Sequence, residues 1–177
     1  LSSDCRLMNK LLRDLTDYSM SDQLTKQRSD LCNLLRRAYL SCLPLTEGTN
    51  KTLTYTSRVS CAYMPLDSPK MMEALLNLIV NALDAVSDNG SVQIILTKSN
   101  EQFVVSIIDD GCGIAPKQLL TIFHPFTTTK PDGTGLGLPV AKRIIEGHGG
   151  HIRVSSAPNQ GATFTFLLPC SFSSDKK

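Results

Sequence analysis

No two of the six cysteines, at positions 5, 32, 42, 61, 112 and 170, stand at C-x-x-C spacing, and no secretory signal precedes them. A disulfide framework is not indicated, and reduced, mostly buried thiols in a cytosolic protein are the expectation. No apolar run approaches the roughly 20 residues that cross a bilayer, so a membrane anchor of any parent protein would lie outside this sequence. The chain also lacks an initiator methionine; starting at Leu1, it reads as a piece of something longer. A basic stripe is missing too. The 18 Lys and Arg are scattered among 16 Asp and Glu for a net charge of +2, which gives a mixed solvated surface and no pointer to nucleic acid. Internal repeats and low-complexity segments are absent. What remains is 177 residues of ordinary apolar content, enough for one main domain with one core and a short appendage.

Leu7, Met8, Leu11, Leu12 and Leu15 form an apolar face at helical spacing through about Tyr18, an amphipathic helix in want of a partner. A second helix is expected over about 29–42, with Leu31, Leu34, Leu35 and Ala38 on one side and Pro44 as its stop. A strand follows at about 53–61. Ser68 as N-cap and Pro69 at the first helical position open the best helix, whose apolar stripe runs Met72, Leu75, Leu76, Ile79, Leu83 and Val86 before a stop at Asn89-Gly90. Strands are expected at 92–97 and 103–108 around a hairpin turn at 98–101, then a helix over 138–148 closed by Gly149-Gly150. Strands at 151–155 and 162–168 close the domain, and the tail from Ser171 is expected to fray.

The most informative residues are Asp109-Asp110-Gly111-Cys112-Gly113 and, twenty residues on, Gly133-Thr134-Gly135-Leu136-Gly137-Leu138. Asp109 leaves a strand and enters two glycines that let a backbone approach a flat ligand; its carboxylate can accept from an exocyclic amine such as adenine N6. The plainer reading is a turn in which Asp bonds its own backbone, and Asp110 fits that role. The second glycine run precedes a helix, where backbone amides can wrap a triphosphate. It is no Walker loop, because no Lys-Ser or Lys-Thr follows, and no dinucleotide fingerprint, because it does not follow a strand directly. Lys130 is the nearest cation for phosphate oxygens. On the helix after Ser68, Asn77, Asn81 and Asp84 share one face, extended a turn by Glu73. Carboxamide oxygens suit Mg²⁺ held mainly by nucleotide phosphates, although a solvated face would look the same. Between the glycine runs, 122–130 carries two aromatics and three hydroxyls and reads as a lid. His124, His148 and His151 have no second ligand at metal spacing and read as packed or exposed histidines.

Taken together, these segments resemble the ATP-binding catalytic domain of bacterial sensor histidine kinases, in the superfamily that joins them to DNA gyrase, a heat-shock chaperone and MutL. Asn77-Leu78-Ile79-Val80-Asn81-Ala82 resembles its N box, Asp109-x-Gly111-x-Gly113 the first glycine box, Phe123 to Phe126 the F box, and Gly133 to Leu138 the second glycine box. Gly161 to Phe166 resembles the closing strand, whose Thr, here Thr163, contributes to the adenine pocket. The order agrees over about 68–169, and Thr-Thr-Lys before Gly-Thr-Gly is similar to nitrogen-regulator-type kinases.

The resemblance implies an α/β fold, a two-layer sandwich with a mixed sheet under three helices. It implies ATP and Mg²⁺, with Asn81 and Asn77 at the metal, Asn77 and Lys130 in catalysis, and Asp109 selecting adenine. The nucleotide would also contact Asp84, Gly111, Gly113, Ile114, Phe126, Thr128, Gly133, Thr134, Gly135, Leu136, Gly137, Leu138 and Thr163. Residues 1–22 then read as the end of a second dimerisation helix and linker, 23–170 as the catalytic domain and 171–177 as a disordered tail. Implied partners are the dimerisation and phosphotransfer domain of the same protein and a response regulator receiver domain, in a homodimeric, cytoplasmic or membrane-anchored parent.

Two departures refine this. Hydrolases of the superfamily carry a water-activating Glu four residues before the metal-binding Asn, and this chain has Asn77 there, so kinase is favoured over hydrolase. No histidine here has the acidic setting of a phosphate acceptor, so the acceptor is expected outside the chain. The alternatives are a serine or protein kinase of the same superfamily acting on another protein, and a non-catalytic nucleotide-binding scaffold.

Overall fold

The computed structural model describes residues 24–130 and 133–170. The expected helix near the N-terminus and the tail lie outside them. The described chain runs β1 (Gln27–Asp30), α1 (Leu31–Cys42), a 3₁₀ turn (Leu43–Thr46), β2 (Thr52–Ser57), β3 (Tyr63–Leu66), α2 (Ser68–Ala85), β4 (Ser91–Ser99), β5 (Gln102–Asp109), a short α3 (Pro116–Leu119), α4 (Gly137–Gly147), β6 (His151–Ser156) and β7 (Ala162–Pro169). Five strands form one sheet in the order β2-β4-β5-β7-β6, with β2 parallel to β4 and the other pairs antiparallel.

Strict alternation explains the layers. Val92, Ile94 and Leu96 of β4, Phe103, Val105 and Ile107 of β5, and Phe164, Phe166 and Leu168 of β7 are buried on one sheet face. They meet Leu31, Leu34, Leu35 and Ala38 of α1, Met71, Leu75, Leu78 and Ile79 of α2, and Ala141 and Ile145 of α4 in one hydrophobic core. Helices cover a single face, which makes the mixed two-layer α/β sandwich. The same alternation puts Asp109 on the core side of β5, two residues beyond Ile107, with 5% of its surface exposed.

Several boundaries differ from expectation for physical reasons. The four-residue β1 and β3 pair only with each other and were not foreseen. Asp30 Oδ1 accepts from Cys32 N at 3.0 Å and Ala62 N at 2.9 Å, so Asp30 ends β1 and caps α1, which starts two residues later than the Ser29 expected. The expected strand at 53–61 stops at Ser57, whose Oγ donates to Val59 O at 2.6 Å and turns the chain. Asp67, not Ser68, is the N-cap of α2, its carboxylate accepting from Lys70 N at 3.1 Å. The thiols are free but not mostly buried: of the five described, Cys42 alone is buried, and Cys61 and Cys112 stand exposed in turns. Among the described residues no helix is long and apolar enough to cross a membrane.

His148 ties the domain's first segment to α2 and α4. Only 4% exposed, it accepts from Asp67 N on Nε2 at 2.9 Å, so Nδ1 carries the proton and donates to Ile144 O at 2.7 Å. Asp67 in turn accepts from Thr25 N at 2.9 Å. Burial, with help from Lys26, pushes the imidazole below its ordinary range against weaker opposing pulls from Ile144 O and Asp67. The folded state thus takes up a proton less readily than the unfolded one, whose His titrates near about 6.5. The stability linked to this group is complete above that value and falls as pH drops from there to the folded pKa. The thermal stability of the wild type should therefore decline more steeply than that of His148→Gln as pH falls below about 6.5; parallel curves would refute it.

Candidate functional site

Three loops converge on the edge of α2 opposite its buried stripe. At Asn77, the Cα of Gly137 opens α4, and a methyl added there would lie 3.5 Å from Asn77 Oδ1. At Asn81 and Asp84, Lys130 reaches in from the loop before the second glycine run, its Nζ 3.3 Å from Asn81 Oδ1 and 2.8 Å from Asp84 Oδ2. At Ala85, the first glycine run closes the helix end, Cys112 N donating to Ala85 O at 3.2 Å. From Asn77 to Ala85 the helix rises roughly 12 Å, so the three contacts lie in a line along one edge.

Asp109 stands beside the far end of that line. Its Oδ1 accepts from Gly111 N at 2.9 Å and Ala162 N at 3.1 Å. Oδ2 has no partner among the described residues, and no buried side-chain oxygen there is left unsatisfied, so Oδ2 opens to solvent. One oxygen thus makes the turn, and the other has no hydrogen-bond partner among the described residues. Burial raises its pKa against the two amides that lower it. Asp110 is purely structural, accepting from Ser91 N at 2.8 Å and Ser91 Oγ at 2.7 Å, which holds its own pKa down.

The glycines are there for different reasons than ligand approach alone. A Cβ on Gly111 would collide with Ala85 O and one on Gly113 with Ala157 O, so the first box is compressed by the protein itself. Gly135, at φ +67°, has the backbone of Phe126 2.5 Å from its missing Cβ, and Phe126 N donates to Gly135 O at 3.0 Å. Gly133 is crowded by Thr128 Oγ1, which also accepts from Lys130 N at 3.0 Å. Gly137 alone of these five meets no protein atom closer than 3.5 Å. A methyl there would make only ordinary contact with Asn77, at a helix N-terminus, where phosphate oxygens are well received. Gly137→Ala should leave the melting temperature unchanged or slightly higher and weaken nucleotide binding about tenfold or more; unchanged affinity would contradict this.

Other expected residues fall as follows. Thr134 Oγ1 accepts from Leu136 N at 3.4 Å, and Leu136 is buried. Leu138 and Ile114 pack against the core, and Ile114 N donates to Ser156 Oγ at 2.8 Å. Phe126 is 62% exposed at φ +66°, while Phe123 packs edge-on against Phe164. Thr163 is misplaced by the sequence reading. The register pairs Ala162 with Asp109, and Thr163 with Ile108 and Ser155, so Thr163 points to the opposite sheet face and the Ala162 amide is what serves Asp109. Lys130 is likewise found on Asp84 and Asn81, a pairing not foreseen. Among the described residues no cluster of three or more His, Cys, Asp or Glu could cage a metal, which leaves the Asn77 and Asn81 carboxamides and the Asp84 carboxylate as the hard oxygen ligands on this edge.

The family described as histidine kinase-, DNA gyrase B-, and HSP90-like ATPase matches residues 66–171. The chain belongs to this family. Sensor histidine kinase ZraS of Salmonella typhimurium is 32% identical over 170 residues, covering 96% of this chain and 37% of that protein. The chain thus spans little more than a third of that curated relative. The nucleotide-free catalytic domain of histidine kinase ThkA superposes with a TM-score of 0.76 at 29% identity, covering 84% of this chain and 97% of that one. Full-length ShkA, solved with AMPPNP, gives a TM-score of 0.83 at 26% identity, covering 94% of this chain and 36% of that one. The chain is an ATPase-fold catalytic domain of the sensor histidine kinase type, and the serine-kinase and scaffold alternatives are not favoured.

Proposed function

We propose that this domain binds Mg·ATP along the α2 edge and presents the γ-phosphate to a histidine outside the chain, in the parent's dimerisation domain, for relay to a response regulator. The single observation that carries the reading is Asp109: a half-satisfied carboxylate, locked by two amides on Oδ1 and open on Oδ2, at the end of a line of unpaired or cation-bearing ligand oxygens. Oδ2 accepts the adenine amine. Asn81, with Asn77 assisting, faces the metal, and the fit is supported by the ammonium already lying against Asn81 Oδ1. Bound Mg²⁺ would neutralise charge on the phosphates. The Gly133–Leu138 backbone, including the open N-terminus of α4 at Gly137, holds and orients them, and Lys130 adds a positive charge. In-line transfer asks for positioning and charge neutralisation, which amides, carboxamides and one lysine supply.

Asn77 leaves no carboxylate at the position where the hydrolases place their base, so water is not activated. The test is to incubate the full-length parent with γ-labelled ATP and Mg²⁺. Acid-labile, base-stable label on a histidine outside residues 1–177 is the expected result. Acid-stable label on serine or threonine of another protein, or steady phosphate release without transfer, would overturn it.

A further inference from the structure

The ion pair between Lys130 and Asp84 joins two segments 46 residues apart, and it includes a third group. The ammonium lies 2.8 Å from Asp84 Oδ2 and 3.3 Å from Asn81 Oδ1. A carboxylate and a carboxamide oxygen one helical turn apart are also the donor set a hydrated divalent cation takes. Exposure of 42% for the Lys130 side chain and 51% for that of Asp84 makes the pair exchangeable, since such pairs are weak in water. Lys130 is nevertheless held in place from its other side: Gly133 N donates to Lys130 O at 3.1 Å and Lys130 N donates to Thr128 Oγ1 at 3.0 Å. The same lysine thus belongs by its backbone to the phosphate loop and by its ammonium to the α2 edge.

We propose that Asp84 makes nucleotide acceptance conditional on a divalent cation, with Lys130 holding the cation position until the metal replaces it. The inference rests on the nucleotide site proposed above. Without metal, an incoming triphosphate must compete with the Asp84 carboxylate for Lys130. With metal, the divalent ion satisfies Asn81 and Asp84 together, and the released ammonium stays within the loop that receives the phosphates. Asp84 is then a specificity-determining residue that discriminates against metal-free nucleotide and acts through Lys130.

The test is calorimetric titration with AMPPNP, in Mg²⁺ and in chelator, of wild type, Asp84→Asn, Lys130→Met and the double variant. The ratio of metal-free to metal-bound Kd should shrink by about threefold or more in Asp84→Asn, chiefly because metal-free binding tightens. In the Lys130→Met background Asp84→Asn should change that ratio much less. Unchanged melting temperatures exclude a folding effect. A ratio unaltered by Asp84→Asn, or altered equally with Lys130 absent, overturns the inference while wild-type binding leaves the site standing. Wild type that binds no nucleotide even with Mg²⁺ removes the site and the inference together.

Discussion

Asp109→Asn should fold normally and bind ATP about a hundredfold more weakly. The fold survives because the wild-type Oδ1 accepts both Gly111 N and Ala162 N, and the amide oxygen of asparagine can take that place. The remaining position then becomes an NH₂ group, so an acceptor facing the ligand turns into a donor. Adenine N6 would meet a donor with a donor, and the lost bond is one to a charged acceptor, worth about 1.5–3 kcal/mol, with the unpaired polar groups adding to it. A guanine nucleotide, which offers a carbonyl at the corresponding edge, should lose much less. Titration of both nucleotides against the variant checks this, beside its melting temperature. Equal affinity of wild type and variant for ATP would show that Oδ2 does not read the base. The raised pKa of Asp109 adds a sign: protonation of the acceptor should begin to weaken adenine binding at a higher pH than for an ordinary carboxylate near 3.8.

Gly113→Ala should cost about 3 kcal/mol or more of stability, roughly 10 °C in melting temperature. Gly113 sits at φ +70°, and a methyl there would drive into Ala157 O. That oxygen cannot retreat cheaply, because the β6–β7 connection is bonded to the first glycine box, Asn159 N to Cys112 O at 2.8 Å and Gly161 N to Gly111 O at 3.0 Å. The left-handed conformation alone costs an L-residue about 1–2 kcal/mol. Weakened nucleotide binding would follow from loss of the fold, not from a lost ligand contact, and this separates Gly113 from Gly137. A melting temperature within a degree or two of wild type would contradict the packing argument.

The nucleotide motifs were legible because each carries its reason locally. A strand with period two delivers Asp109 to the core side, glycines mark the crowded turns, and Asn77, Asn81 and Asp84 recur at helical spacing. Thr163 could have been placed correctly: Phe164 must face the core, so its neighbour must face away, and β-strand parity with Asp109 selects Ala162. Lys130 on Asp84 was not legible, because the chain carries no local sign of which of two exposed polar groups far apart in sequence will meet. The β1–β3 pair was hidden by the shortness of both strands, by the polar sequence of β1 and by Pro65 in β3. Asp67 and Ser68 are both competent caps, and the choice is made by contacts from elsewhere: Thr25 N on the Asp67 carboxylate and His148 Nε2 on its amide. Asp109 was half legible, since the sequence offered turn and ligand as rivals, and the geometry gives Oδ1 to the turn and leaves Oδ2 without a partner among the described residues.

The most direct measurement is calorimetric titration of this chain with AMPPNP in the presence of Mg²⁺, in parallel with the guanine analogue. Saturable one-to-one binding that favours adenine, and that Mg²⁺ strengthens, is the predicted result. Absence of binding under those conditions, or equal affinity for the two bases, would contradict an adenine-selecting Mg·ATP site on the α2 edge.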